Sequence, residues 1–328
     1  MRDHSFLRPV MIRVTLFLCI STPPLMFEGR SASSSGSPTT ATVAGSPGWQ
    51  YLEEVFRLAE LDFGRKDDEL TSRCLEMFER CGNDYGAASD AVDLACRAYG
   101  RRGEFEKARE LRRAMRDRFK GDDRFHEQCG EKVSDVSEES YLNAMALLET
   151  KAHNYPQAIT YWREYLSFLR TKRDDPISRW PQWRKQNRDR EILSGHSWDV
   201  GLCYYRLGRY KEAAEQLRNH ESFVRKYGLY APWDETRKSP EPELEFRFYV
   251  ELYLMLGECH LKLGDNEQAR AAFESAKRNL ERSDVMHARP WTKEFSDRAR
   301  EMGERTLPEW IEKCRRDGAA APRGGIGF

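Results

Sequence analysis

Gly201-Leu202-Cys203-Tyr204-Tyr205-Arg206-Leu207-Gly208-Arg209-Tyr210-Lys211-Glu212-Ala213 and, further on, Gly257-Glu258-Cys259-His260-Leu261-Lys262-Leu263-Gly264-Asp265-Asn266-Glu267-Gln268-Ala269 are two versions of one phrase. In both, a second glycine stands seven positions after the first and an alanine five positions after that. An apolar residue, Leu217 or Phe273, follows four positions beyond the alanine. Outward from these segments, from Trp49 to Arg316, apolar residues recur close to every 3.6 positions, the period of a helix with one buried face. Runs that alternate in the manner of strands are scarce, and proline is rare inside the periodic stretches. The spacing predicts an all-α chain. Ser239-Pro240-Glu241 reads as a helix start, with a capping residue, a proline in the first turn and an acid near the positive helix end. Ser134 or Ser137 reads as the cap of a helix running through Leu148.

The repeated phrase resembles the tetratricopeptide repeat (TPR), a helix–turn–helix unit of about 34 residues. The resemblance implies a right-handed solenoid of antiparallel helix pairs, a TPR-like superhelix. It implies that Gly201 and Gly257 let the first helix approach its partner closely. Gly208 and Gly264 would end that helix with a left-handed residue. Ala213 and Ala269 would fill the closest point of the pair, and Leu217 and Phe273 would pack inward. The second unit is the fuller match, with Tyr253, Leu256 and Ala276 also in place; it departs at His260, where the pattern prefers Tyr. In the first, Trp198 stands one place later than the pattern's Trp. Two weaker units precede them. Tyr99, Gly103, Phe105 and Ala108 mark one, with Cys96 in place of Gly and Arg112 where an apolar residue should pack. Tyr155, Ala158 and Trp162 mark the other, with Ala146 for Gly and His153 for the turn Gly. Trp49–Cys81 reads as a more divergent helical pair and Asp284–Arg316 as a terminal cap with Trp291, Leu307, Trp310 and Ile311 apolar. The matched alanines at 108, 158, 213 and 269 are 50, 55 and 56 residues apart. Each unit therefore carries roughly 16 to 22 residues beyond a tight array, as longer helices or inserted loops.

Residues 1–32 read as a signal peptide. Arg2, Arg8 and Arg13 precede the apolar run Val14–Ile20, which is far shorter than the roughly 20 residues a membrane span needs. A start at Met11 makes a better export signal than a start at Met1. Cleavage after Ser31, Ala32 or Ala44 suits the small residues there, and Leu18 makes Cys19 a poor lipid-carrying cysteine. Residues 33–48 read as a disordered linker, because a stretch of Gly, Ser, Ala, Thr and Pro buries too little apolar surface to offset its ordering entropy. The helical repeat domain is expected over 49–316, and a disordered tail over 317–328. The expected location is outside the cytoplasm, periplasmic, envelope-associated or secreted; if the N-terminal run is instead a mildly apolar terminus and no signal, the location is the cytoplasm.

The chain of 328 residues carries 54 basic and 54 acidic side chains, and its mean hydropathy is −0.79. That excludes a polytopic membrane protein, collagen and a wholly disordered chain. Net neutrality gives no global attraction to nucleic acid or anionic lipid. The cysteines after Cys19 are seven, an odd number with no compact framework. Cys203 and Cys259 share a repeat position, which reads as core packing of free thiols. No Cys-x2-Cys, His-Glu-x2-His, phosphate loop or Gly-x-Ser-x-Gly occurs, and His126-Glu127-Gln128-Cys129 has no second half. The expected protein is not an enzyme and uses no cofactor or metal.

The expected partner is a protein or peptide, held in the groove that the resemblance places along the first helices. By repeat position the groove candidates are Asn143, Trp198, Tyr205, Arg206, Glu258 and Lys262, with Leu147, Leu202 and Leu254 beside them. Trp198 reads equally as core. The Lys and Asn residues with which chaperone-binding family members clamp a terminal carboxylate are replaced by Asn143, Leu147, Asp199, Glu251 and Met255. A scaffold that assembles an envelope complex is a second reading. A third is a glycan- or nucleic-acid-binding patch in the basic insert Thr171–Arg190, through Arg179, Trp180, Trp183, Arg184 and Lys185; against it, the insert reads as a connector whose tryptophans pack back on the helices. Arg101–Lys120 carries net +5 and Gly121–Ser140 net −5, so these neighbours are expected to pair.

Overall fold

The computed structural model describes residues 47–126, 129–175, 181–227, 250–282 and 301–320. The expected signal peptide, nearly all of the linker, the Ser239-Pro240-Glu241 helix start, Trp291, and the patch residues Arg179 and Trp180 lie outside the described residues, as does the end of the tail. The chain divides into two compact units, Met1–Ala152 with Thr171–Arg188, and His153–Arg170 with Asp189–Phe328.

In the first unit the helices are α1 (Pro47–Phe63), α2 (Asp67–Arg80), α3 (Tyr85–Arg101), α4 (Phe105–Phe119) and α5 (Val133–Lys151). Helix α2 opens with Asp67, Asp68 and Glu69 and closes with Arg80, charges that complement its dipole. Helix α3 begins where the Asp84 carboxylate accepts the Ala87 N–H at 3.1 Å, a cap worth about 1 kcal/mol. Its residues Ala88, Ala91, Val92, Ala95 and Ala98 are buried, and the helix packs on α2 and α4. Small residues let these helices approach closely.

The second unit holds most of α6 (Tyr155–Arg173), then α8 (Ser197–Arg206), α9 (Tyr210–Tyr227), α10 (Leu252–Lys262), α11 (Asn266–Arg282) and α12 (Leu307–Ala320). A π-helical turn, Met302–Thr306, leads into α12. The helical part thus begins at Pro47 and ends at Ala320, slightly wider than the expected 49–316.

The two phrases form pairs as their spacing implies. Gly208 and Gly264 have φ of +71° and +77°, the left-handed conformation that costs glycine nothing. Behind them Arg209 donates its N–H to Tyr204 O at 3.0 Å and Asp265 to His260 O at 2.9 Å, so orphan carbonyls of the first helix are satisfied. The weaker units make the same turn with Gly103 at +73° and, without glycine, His153 at +59°. Ala108, Ala158, Ala213 and Ala269 are all fully buried. A Cβ on Gly257 would sit 2.3 Å from the Phe273 ring, and one on Gly201 would sit 3.2 Å from Leu217. Phe273 belongs to a core with Ala269, Ala276, Leu280, Leu307 and Ile311, and the Trp310 ring lies 5.1 Å from it. The Leu307–Ile311 segment therefore closes the last pair.

The extra residues take two forms in the described part. After α4 comes an antiparallel hairpin, β1 (Phe125–His126) and β2 (Glu131–Lys132). After α6 comes a helix of its own, α7 (Gln182–Ser194). The third insert, 228–249, lies outside the described residues. Helix α5 starts at Val133 directly from β2, so neither Ser134 nor Ser137 caps it; the Ser137 side chain is buried and the Ser134 N–H donates to Asp122 O at 3.1 Å.

Within the first unit, the N-terminal part of α7 is tied to the hairpin and α5 by buried charge. Arg184 donates to Glu131 and, at 2.8 Å, to Glu139, while Arg188 pairs with Glu139. All four side chains are at most 8% exposed. Arg184 was expected on an open polyanion patch; it faces inward instead, because two buried carboxylates outcompete solvent for its guanidinium. Elsewhere in this unit Arg116 of α4 pairs with Glu138 at 2.5 Å, as the charge runs suggested. Most of the other arginines there choose different partners: Arg109 grips Glu149 through two bonds of 2.7 and 2.8 Å, Arg112 pairs with Asp93, and Arg101 with Asp62 at 2.7 Å.

Gly257→Ala should destabilise by about 1–3 kcal/mol, because the Phe273 ring must move off its site. Gly201→Ala should cost less, since the Leu217 side chain can rotate away; urea denaturation of the two variants gives the order. Arg184→Met should cost about 3–5 kcal/mol by stranding the buried Glu131 carboxylate, while Glu139 keeps Arg188; the urea midpoint reads this too.

Candidate functional site

The groove candidates of the second unit stand on α8 and α10. The Tyr205 hydroxyl, near the end of α8, donates to the Glu258 carboxylate on α10. Burial and that carboxylate both push the Tyr205 pKa up, so the hydroxyl stays a donor. Its ring meets Tyr210 edge to face at 6.1 Å. Arg206, next to Tyr205, and Lys262, about one turn beyond Glu258, are exposed. Leu202 and Leu254 are half-buried, and Leu207 and Leu263 are exposed. The sequence reading thus finds two residues, Tyr205 and Glu258, that touch, and two cations beside them.

Trp198 does not join them. It is 8% exposed and its ring lies 5.5 Å from that of His220 on α9. The one-place shift from the repeat pattern turns it into the helix pair, so it is core and not a groove anchor. Asn143 is half-buried on α5 in the first unit, beside Leu147, which is 40% exposed. Of the basic insert, Lys185 is exposed and Arg184 buried, while the Trp183 side chain lies outside the described part.

Histidines occupy the joints of the second unit. His260, at the position where the repeat prefers Tyr, is 6% exposed. Its Nε2 accepts from Arg218 of α9 at 2.9 Å, which places the ring proton on Nδ1, 3.8 Å from Asp265. Arg218 also donates to Gln268 of α11. Burial first, then the Arg218 charge, lowers the His260 pKa. His196, at φ +46°, stacks on Trp162 with centroids 4.2 Å apart, and the Tyr165 hydroxyl donates to Glu191 at 2.5 Å. Nothing in the sequence marked Arg218 as a partner of His260, because the pairing joins a second helix to the first helix of the next unit.

Six of the seven described thiols are buried. Cys203 and Cys259 are fully buried, as their shared position suggested. Burial pushes the pKa values of Cys74 and Cys259 up to about 12, which suppresses the thiolate that reactivity requires. Among the described residues no group of three or more His, Cys, Asp or Glu could hold a metal ion. Among them, too, no helix is long and apolar enough to cross a membrane.

Paired helices joined by left-handed turns, with a packing alanine at one register, define a helical repeat protein. Residues 250–278 match the family model described as tetratricopeptide repeat. The protein is a divergent TPR-like helical repeat protein, all-α apart from its short hairpin among the described residues. No curated protein matches the sequence. Among solved structures, that of BtubC (BKLC) from P. vanneervenii aligns over 83% of this chain and 97% of its own, at 13% identity and a TM-score of 0.44. A likeness at that level carries no inference about this chain.

Because His260, His220 and His126 all have lowered pKa values, the unfolded chain binds protons before the folded one does. Their contribution to stability should be full above the ordinary 6.5 and fall as pH drops below it. In His260→Tyr the slope of Tm against pH over that window should flatten without vanishing; an unchanged slope would remove His260 from the account.

Proposed function

We propose that the protein binds an extended peptide or a helix of another protein along the exposed faces of its first helices, and that it acts as a non-catalytic interaction module or scaffold. A TPR repeat is a protein-interaction module, and this is the coarse function that the match at 250–278 suggests. One observation carries the finer reading: Tyr205 and Glu258, on consecutive first helices, bind one another at a partly open position, and the same helices end with the exposed cations Arg206 and Lys262. The ends of these helices offer an amphipathic ring, exposed apolar Leu207 and Leu263, and charge, the mix that anchors interfaces. The arginine and lysine keep their charge at any physiological pH. Stacked pairs that display one face repeatedly suit an extended ligand.

The N-terminal segment supports export, with the basic residues and the short apolar run Val14–Ile20 ahead of small residues. An assembly role at the cell envelope is compatible with this and specifies the scaffold further.

The full chain as bait in its native cell, with mass spectrometry of what it captures, tests both statements. A discrete protein partner should be lost in Tyr205→Ala, retained in part in Tyr205→Phe, and absent from a bait denatured beforehand, with circular dichroism unchanged in the variants. Capture of no protein by the wild-type bait would overturn the binding reading. The same bait should carry a processed N-terminus in the extracytoplasmic fraction; an intact one confined to the cytoplasm would overturn export.

A further inference from the structure

The joint between the hairpin, α5 and the first half of α7 lies within the first unit. Two guanidiniums, Arg184 and Arg188, meet two carboxylates there, Glu131 and Glu139. Among the described side chains of residues 182–188, these arginines are the buried ones; Gln182, Lys185 and Gln186 are exposed and Asn187 is half-buried. The described contacts that hold this half of α7 are therefore charge pairs. His126 shares the joint. It is the cross-strand partner of Glu131, and directly opposed residues of an antiparallel pair carry their side chains on one face, with Cβ atoms about 4.5–5.5 Å apart. The imidazole is half-buried, and the Tyr85 ring of α3 meets it edge to face at 5.9 Å. Its Nδ1 is buried and has no hydrogen-bond partner among the described residues, and the same holds for Glu131 Oε1. Burial first, then the Arg184 guanidinium, lowers the His126 pKa, and the Asp84 carboxylate opposes them more weakly. Burial keeps Tyr85 a neutral phenol and Cys129, in the same turn, a thiol. The other charges on β2 and the first turns of α5 are paired elsewhere: Lys132 with Asp123, Asp135 with Lys172 and Glu138 with Arg116.

We propose that this joint is an acid-sensitive latch: a proton on His126 leaves three cations for two carboxylates, one guanidinium loses its partner, and the first half of α7 lifts from the hairpin while the rest of the first unit stays folded. The imidazolium repels Arg184 and competes with it for Glu131, so both effects loosen α7. Protonation of Glu131 or Glu139 at lower pH removes a carboxylate and acts in the same direction. A buried charge that loses its partner is costly, which makes opening the cheaper state once the count is uneven. The open form takes up its proton near the ordinary 6.5 and the closed form only below that, so the latch is shut above this value and loosens as pH falls. The inference is independent of the peptide-binding reading.

The test is hydrogen exchange of the full chain read by mass spectrometry, corrected for the intrinsic pH dependence of exchange. From about pH 7.5 to about pH 5.5, peptides covering 125–139 and 182–188 should lose protection by up to about tenfold, the limit for one proton taken up a unit below the ordinary value. Peptides of α2 and the second half of α3 should keep theirs. His126→Gln and His126→Phe, each checked for its fold by circular dichroism, should hold their protection across this range. Glu139→Gln, which removes one of the two carboxylates, should exchange faster in the same peptides already at the upper pH. Unchanged protection of the wild-type joint overturns the proposal, and so does an equal loss in the two His126 variants. A loss shared by α2 and α3 is acid unfolding of the whole unit and overturns it as well.

Discussion

The last helix pair depends on a side chain that is missing. The Phe273 ring of α11 occupies the space where a Cβ at position 257 of α10 would stand, 2.3 Å away. With the glycine in place, the two helices approach closely enough for Ala269 and Phe273 to be fully buried. Burying a side chain of that size contributes about 1.5–3 kcal/mol. The other units show how the constraint relaxes. Leu217 answers Gly201 at 3.2 Å. In α3 the equivalent residue is Cys96, whose thiol donates to Ala108 O at 3.6 Å. There the residue in the Phe273 register is Arg112, which turns to Asp93 instead of packing as a ring. A larger residue on the first helix is matched by a different occupant on the second, so the register survives while its contents change.

The inserts obey different physics. Two strands of two residues each have no core of their own and would not stand alone in water. Charge ties the hairpin to α5 and α7: Glu131 of β2 and Glu139 of α5 share Arg184, and Arg188 completes the set from the same helix. Burying such charges costs several kcal/mol each before pairing recovers it. The network therefore adds little net stability but penalises any arrangement that separates its members. It tells the hairpin and α7 where to sit in their unit. The apolar register could not do this, since both elements lie outside it.

This difference explains what could be read from the sequence. The turns were legible because φ near +70° leaves few residue types, and Gly103, Gly208 and Gly264 announce it. Even His153 was placed correctly, by counting back from Ala158 rather than from its own chemistry. The added length was legible as intervals of 50, 55 and 56, but its form was not, because strands of two residues leave no periodicity. Arg184 was misplaced for a similar reason. Its partners lie 53 and 45 residues away, and an arginine in a polar stretch looks the same whether it faces water or a buried carboxylate. Trp198 shows the limit in another way: a one-residue offset on a helix is a rotation of about 100°, enough to carry an indole from a groove to the core. Tyr205 and Glu258 were selected singly, by register; their hydrogen bond is something only the packing of α8 on its neighbours brings about.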